Sequence, residues 1–434
     1  MQNSFKPRHA LAAIALALVP TLTYGQTPSG TLDASFGTGG KVSTDFAGAG
    51  DGASSIAVQP DGKLVAAGGA TINGQVDFAL ARYNADGTID ASFGTGGRVT
   101  TDFGGIYEGA SSVAIQSDGK IVVAGGSVSD FYDNFALARY NTDGSIDTGF
   151  GTEGKVITSF GDVSSQAESV VVQPDGKIVV TGEANIDGGE DFAVVRYNAD
   201  GTLDATFGAG GKAITGFGLL QQGYSFAFPH SAALQPDGKI VVAGVAYIGP
   251  GRDFALARYN SDGTLDATFG TAGQVLTDFT RDDAAFSLAI QPDGKILAAG
   301  MSDVERGYGF ALVRYNRDGT LDASFGTGGR VTTDFGLLDQ GFSVALANSV
   351  AVEPSGRIVA AGRIYIDGGF HSGLARYNSN GTLDASFGTG GRVTAVFETP
   401  YDSDEFRSVV VQGDGKVVVT VSGFGDFTLV RYNN

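Results

Sequence analysis

The chain contains no cysteine and no tryptophan, and only three histidines among 434 residues. Without cysteine there is no disulfide, no iron–sulfur cluster, no thiolate zinc site, no thiol nucleophile and no lipoprotein anchor. Cations are scarce too: 28 Lys and Arg stand against 47 Asp and Glu, a formal net charge of −19. Nucleic acid and anionic membrane surfaces both demand clustered Lys and Arg, so that balance argues against them as partners. No apolar run reaches the roughly 20 residues a membrane-spanning helix needs. Glycine, by contrast, is abundant at 68 residues, beside a hydrophobic content of 42%. The combination describes a packed chain punctuated by turns rather than a disordered one.

The first residues read as an export signal. Lys6, Arg8 and His9 form a positive start, Ala10 to Leu22 an apolar stretch broken at Pro20, and Thr23-Tyr24-Gly25 a small-residue cleavage site. The expectation is a signal peptide over residues 1–25, cut after Gly25, and one domain over 26–434 that is secreted or periplasmic. The cut removes two basic and no acidic residues, so −19 becomes −21.

Internal repetition dominates the remainder. The triplet Arg-Tyr-Asn starts at Arg82, Arg139, Arg196, Arg258, Arg314, Arg376 and Arg431, with spacings of 57, 57, 62, 56, 62 and 55 residues. Asp-Gly-Lys starts at Asp61, Asp118, Asp175, Asp237, Asp293 and Asp414, with Ser355-Gly356-Arg357 in the missing place. Leu-Asp-Ala-Ser-Phe-Gly and close variants start at Leu32, Ile89, Ile146, Leu203, Leu265, Leu321 and Leu383. Three markers in one phase, each present seven times, define seven units.

One unit reads as four strands. Ser55 to Gln59 is the first, Pro60-Asp61-Gly62 its turn, and Lys63 to Gly68 the return. Phe78 to Tyr83 is the third, closed by Asn84-Ala85-Asp86-Gly87; Thr88 to Asp90 and Gly97 to Phe103 form an interrupted fourth, with Gly94 to Gly97 at the bend. Four antiparallel strands repeated radially make a β-propeller blade; a solenoid, the alternative, needs atypical capping ends. The chain opens on a fourth-strand motif (Thr31 to Phe46) and stops after a third strand at Asn434. Joining the two removes both exposed edges. The expectation is therefore an all-β, seven-bladed propeller, its ring closed by the N-terminal strand joining the last blade.

The markers Gln-Pro-Asp-Gly-Lys-Ile-Val-Val-Ala-Gly and Ala-Arg-Tyr-Asn-x-Asp-Gly-Thr-Leu-Asp-Ala-Ser-Phe-Gly resemble the bacterial delta-60 repeat family and, more distantly, NHL-type propellers. The resemblance spans Thr31 to Asn434 and implies an exported propeller, with no catalytic assignment to carry over. Departures fall at Ser355, Arg357 and Ser372 in the sixth unit and at Ala395-Val396 and Gly413 in the seventh.

Seven copies in one chain separate scaffold from site. The first strand repeats Ser55, Ser112, Ser169, Ser231, Ser287, Ser349 and Ser408, followed two residues on by Ala57, Ala114, Val171, Ala233, Ala289, Ala351 and Val410. Small residues there suit strands crowded about an axis, and the seven arginines are expected to pair with repeat carboxylates such as Asp90. The residue before each serine varies: Ser54, Ser111, Glu168, His230, Phe286, Asn348 and Arg407. These are expected to ring the channel mouth, where Glu, His, Asn and Arg could bind a ligand; drift at a solvated position is the alternative.

Two long loops, Gly218–Pro229 and Gly336–Ala347, carry Tyr224, Phe226 and Phe342 onto the same rim and flank the unit of Phe286. They offer either a contact surface or a lid. Calcium is possible at Asn84-x-Asp86-Gly87-x-x-Asp90, which imitates the middle of an EF-hand loop. Arg82 stands where its first carboxylate belongs, however, so a self-capped turn is the simpler reading. Gly37-Thr38-Gly39-Gly40-Lys41 imitates a phosphate loop but lacks the Ser/Thr and the helix. No cofactor is called for, and the chain is expected to be a monomer. The favoured expectation is a non-catalytic module presenting an acidic, aromatic rim (Tyr107, Glu108, Asp282, Asp283, Tyr401, Asp402, Asp404, Glu405) to an extracellular or envelope protein or a glycan. The alternative is a hydrolase or lactonase with a divalent ion near Glu168 and Asn348.

Overall fold

The computed structural model describes residues 28–46, 50–128, 132–186, 188–218, 226–248, 251–279, 282–304, 307–335, 343–366, 368–397, 404–423 and 425–434. The expected export signal lies outside them. The described residues are all-β, with no helix and 28 strands.

Strand β1 is Lys41–Thr44; β2 (Gly52–Val58), β3 (Leu64–Ile72), β4 (Gln75–Tyr83) and β5 (Arg98–Thr101) form the first complete antiparallel group. The pattern recurs with β6–β9 over 107–158, β10–β13 over 165–215, β14–β17 over 227–277, β18–β21 over 283–333, β22–β25 over 343–395 and β26–β28 over 405–432. Five sheets result, three of four strands and two of eight. Each eight-stranded sheet is two antiparallel groups joined by a short parallel contact, at Val76↔Tyr107 and at Gly307↔Ser343 with Tyr308↔Val344. The second and third strands run longer than the sequence reading allowed. In the first group Asn73 (φ 53°) and Gly74 (φ 87°) form a two-residue hairpin that carries β3 directly into β4.

Strand β1 pairs antiparallel with β28 (Phe427–Tyr432), from Lys41↔Val430 to Thr44↔Phe427, and completes that group. The expected junction of the two chain ends is therefore present. The last group also packs on the first: Val418, Phe427 and Leu429 share a buried cluster with Ile56, Leu64 and Ala66.

Three repeated interactions hold neighbouring groups together. Each Arg-Tyr-Asn arginine is buried against its repeat aspartate, as in Arg82–Asp90 at 2.8 Å, Arg196–Asp204 at 2.7 Å and Arg431–Asp33 at 2.7 Å. A lysine from the preceding turn reaches the same carboxylate, and the guanidinium lies about 4.5 Å over a repeat phenylalanine, Arg82 over Phe93 among them. The same guanidinium donates to a main-chain carbonyl of the next repeat, Thr142 for Arg82 and Ala199 for Arg139. A buried tyrosine then meets a threonine of the preceding fourth strand, as with Tyr83–Thr44 and Tyr197–Thr158. Finally, six of the repeated serines of the innermost strands accept a main-chain N–H from the next group, among them Ser169 from Ala232, Ser231 from Leu288 and Ser287 from Val350, these three at 3.1 Å. Small size alone was the expected reason for serine; its hydroxyl is the other.

Candidate functional site

In each of the first six repeats the residue before that serine is a β-bulge. The register of the innermost strand jumps between Ala53 and Ser55, Ala110 and Ser112, Ala167 and Ser169, Pro229 and Ser231, Ala285 and Ser287, and Ala347 and Ser349. A bulge leaves one residue unpaired and re-aims its side chain. The skipped residues are Ser54, Ser111, Glu168, His230, Phe286 and Asn348, the position singled out in the sequence as variable among the repeats.

The partner strand carries a signal for the bulge. A glycine faces it each time, and a Cβ on Gly68, Gly182, Gly300 or Gly362 would sit 1.8–1.9 Å from the facing carbonyl oxygen, a distance no side chain tolerates. The last repeat has Val421 at that place. There the jump widens to Phe406/Val409, leaving both Arg407 and Ser408 out of register.

The bulge residues and the residue after each glycine vary together, and they divide the face into sectors. Repeats one and two present only Ser54 with Gly69 and Ser111 with Gly126. The third presents Glu168 and Glu183, both half-buried. Burial, reinforced by Glu183, pushes the Glu168 carboxyl up to about 8; burial, then Glu190 and Asp133, pushes Glu183 up to about 7. The fourth and fifth present His230 and Phe286, whose rings lie 5.4 Å apart. Burial lowers the imidazole to about 4, so it is neutral at pH 7. Beside them Val245, Ala284 and Met301 form a buried apolar floor, against which Phe228, Phe286, Tyr308 and Leu346 pack half-buried.

The sixth and seventh repeats are polar and basic. The Asn348 amide donates to the Phe406 carbonyl at 2.9 Å, Arg363 stacks 4.4 Å over Phe370, and Arg407 pairs with Glu405 at 2.5 Å.

Phe226 pairs with Glu190 at the edge of this face through a parallel bridge. Phe228 and Leu346, from the ends of the two long loops, meet Phe286 in one apolar cluster. Tyr224 and Phe342 lie outside the described residues, as do Tyr401 and Asp402. The acidic rim needs correction. Glu108, Asp283, Asp404 and Glu405 are buried, not presented. Glu108 accepts the Phe103 N–H at 2.6 Å, Asp283 that of Phe279 at 2.6 Å and Asp404 that of Phe397 at 3.3 Å, so these carboxylates cap the incoming chain. Tyr107 and Asp282 do reach solvent.

Three groups of carboxylates could hold a cation: Asp45, Asp51 and Asp426; Asp77, Asp102 and Glu108; and Asp253, Asp278 and Asp283. They occupy equivalent places at the junction of third, fourth and next first strands. Burial, then Asp278 and Asp283, raises Asp253 to about 6. Glu168 belongs to none of these groups. The EF-hand-like turn is self-capped: Asp86 accepts from Thr88 at both N–H (2.9 Å) and hydroxyl (2.7 Å), while Asp90 is held by Lys63 and Arg82.

Sequence reasoning missed one buried polar cluster. Asp404 accepts from the Ser372 hydroxyl at 2.6 Å and lies 3.1 Å from Nδ1 of His371, where the first five repeats have a phenylalanine for Ser372. The carboxylate stands between serine and histidine, so the imidazole does not activate the hydroxyl as a nucleophile.

Six segments of the chain match the family model of a domain of unknown function (DUF5122) β-propeller: 59–93, 116–150, 173–207, 235–269, 291–325 and 353–387. The repeats are β-propeller repeats. Each matched segment of these propeller repeats runs from the end of the innermost strand to the phenylalanine under the repeat arginine. No curated protein matches the sequence. Among solved structures, the propeller is similar to the polysaccharide lyase Uly1 (TM-score 0.50, 12% identity, 88% of this chain and 90% of that one). It is also similar to a catalytically inactive virginiamycin B lyase from Staphylococcus aureus (0.48, 10%, 90% and 98%) and to Sqt1 from Chaetomium thermophilum (0.46, 12%, 89% and 96%). At such identities the likeness concerns the fold.

Proposed function

We propose that the chain is an exported, non-catalytic binding module: a closed propeller of seven delta-60-like blades whose bulge ring meets a protein or glycan. The observation that carries the reading is the contrast within each repeat. The bulge and its facing glycine recur through the first six repeats, whereas the side chain the bulge re-aims is serine in two of them and different in each of the other four. A scaffold position under one geometric demand would converge, as the serines and arginines do; a position selected for contact with an asymmetric partner would not.

Closure into seven blades is supported by the β1–β28 pairing and by the shared core of the last and first groups. A seventh copy of the matched segment would begin at Gln412 and finish at Phe36, divided between the chain ends. Export is supported by the residues 1–25 pattern, and sequencing the N-terminus of the mature protein tests it; a start other than Gln26 overturns the cleavage site.

The test is to flatten the ring. Glu168, His230, Phe286, Asn348 and Arg407 are all replaced by serine, the residue at Ser54 and Ser111. Wild type and variant are then screened against glycan and peptide arrays, with thermal unfolding to confirm the fold. Binding lost in a folded variant supports the reading; binding retained in full overturns it.

A further inference from the structure

We infer that the bulge ring takes a basic, apolar peptide segment of a partner protein, seating its cation at Glu168 and Glu183 and its apolar side chains around Phe286. The inference rests on the binding reading and narrows it to one ligand chemistry.

The first reason is a contrast among carboxylates. Each scaffold aspartate is matched by two cations: Asp204 binds Lys177 and Arg196, both at 2.7 Å. Among the described residues, Glu168 and Glu183 have no ion pair and no side-chain hydrogen bond. Their neighbours sharpen the demand, because Glu190 and Asp133 are acidic as well. Ionising both desolvated carboxyls together is costly unless an opposite charge arrives, and such groups gather where proteins bind. The neighbouring second repeat carries only small residues at the equivalent places, Gly126 and the bulge residue Ser111, and a Cβ on Gly126 would already be in ordinary contact with Gln166, 3.5 Å away.

The second reason is the apolar patch that adjoins the pair. The Ala232 N–H to Ser169 bond fixes His230 beside Glu168 around the ring, and the Leu288 N–H to Ser231 bond fixes Phe286 beside His230. The neutral imidazole therefore joins the acidic sector to the patch of Phe228, Phe286, Tyr308 and Leu346 without bringing a cation to the carboxylates. Tyr247, 39% exposed and 6.0 Å from Phe228, extends the patch outward.

The third reason is extent. Acid and patch run from the third repeat to the sixth, too far for a small amine, which would touch one or two repeats. An extended segment alternating cationic and apolar side chains matches both sectors at once.

The experiment follows a fluorescein-labelled octapeptide of alternating lysine and phenylalanine by anisotropy against the whole mature chain. Binding is expected, weakened at least tenfold by Glu168→Gln with Glu183→Gln and at least tenfold by Phe286→Ser. The charge-matched control Asp237→Asn with Asp414→Asn, in turns of the opposite rim, is expected to leave it unchanged. Thermal unfolding of every variant verifies the fold. The inference is overturned if the control weakens binding equally, if a glutamate-for-lysine peptide binds as well, or if 2-phenylethylamine displaces the peptide completely. Binding that appears only after deletion of residues 219–223 also overturns it, since the chain's own loop would then be the occupant. A peptide that fails while the flattened ring still loses array ligands defeats this inference and leaves the binding reading standing.

Discussion

Gly182 faces the Gln166 carbonyl so closely that a Cβ there would lie 1.9 Å from its oxygen. That contact makes the bulge at Glu168 and the glycine one structural unit. Gly182→Ala is expected to cost about 2–3 kcal/mol, because backbone rather than a flexible side chain must give way. Gly413→Ala, at a turn whose Cβ position is open, is expected to be near neutral. Urea denaturation of both variants checks the pair; equal effects would refute the geometric account.

Tyr432 shares a buried cluster with Ala395, and its hydroxyl has no hydrogen-bond partner. The six equivalent tyrosines each meet a threonine, Tyr377 with Thr333 at 2.8 Å for instance. Ala395→Thr is expected to stabilise the protein by about 1 kcal/mol by supplying the missing partner. Tyr83→Phe should cost about 1 kcal/mol, whereas Tyr432→Phe should cost nothing. Unfolding midpoints of the three variants decide the matter, and a destabilised Ala395→Thr would contradict it.

The arginine–aspartate belt sets the acid limit. Burial pushes Asp204 up, but Lys177, the Thr206 hydroxyl and amide, and Arg196 outweigh it and hold the carboxyl well below its ordinary value. Asp33, Asp90, Asp266 and Asp322 behave alike. A depressed folded-state value gives stability that is full above the unfolded value near 3.8 and lost as pH falls below it. Unfolding below pH 4 should therefore take up several protons together. Asp204→Asn, which strands the buried Arg196, should cost about 3–5 kcal/mol at pH 7.

Glu168 and Glu183 act in the opposite direction. Raised to about 8 and about 7, they bind protons more tightly when folded. Their contribution is best below the unfolded value near 4.5 and is lost as pH rises toward 8. Glu168→Gln should shrink the fall in melting temperature between pH 5.5 and 8.5 and raise the value at pH 8.5. A variant that melts lower than wild type at pH 8.5 would show that the carboxylate is stabilised in some other way.

Much of the scaffold was legible because repetition states the same physical requirement seven times. The arginines, their aspartates and the repeated serines were visible as invariants, and pairing was expected for the first two. The variable position before each serine was also visible. Its cause was not, since a bulge depends on which residues of two strands oppose each other. The acidic rim failed for a related reason: Glu108 and Asp283 look like surface residues in sequence, but each turns inward to satisfy a main-chain N–H as the chain enters the innermost strand. The orphaned hydroxyl of Tyr432 could have been anticipated from Ala395 only by knowing that the two meet across a boundary between repeats.

The sequence by itself determined the period, the strand-and-turn pattern within each unit and the places where one copy departs from the others, because these follow from local residue preferences. The tertiary structure alone decided which departures meet. It set unpaired carboxylates beside a neutral imidazole and an apolar patch, and buried other carboxylates against amides, because contacts between repeats depend on lateral packing that no single stretch of chain encodes.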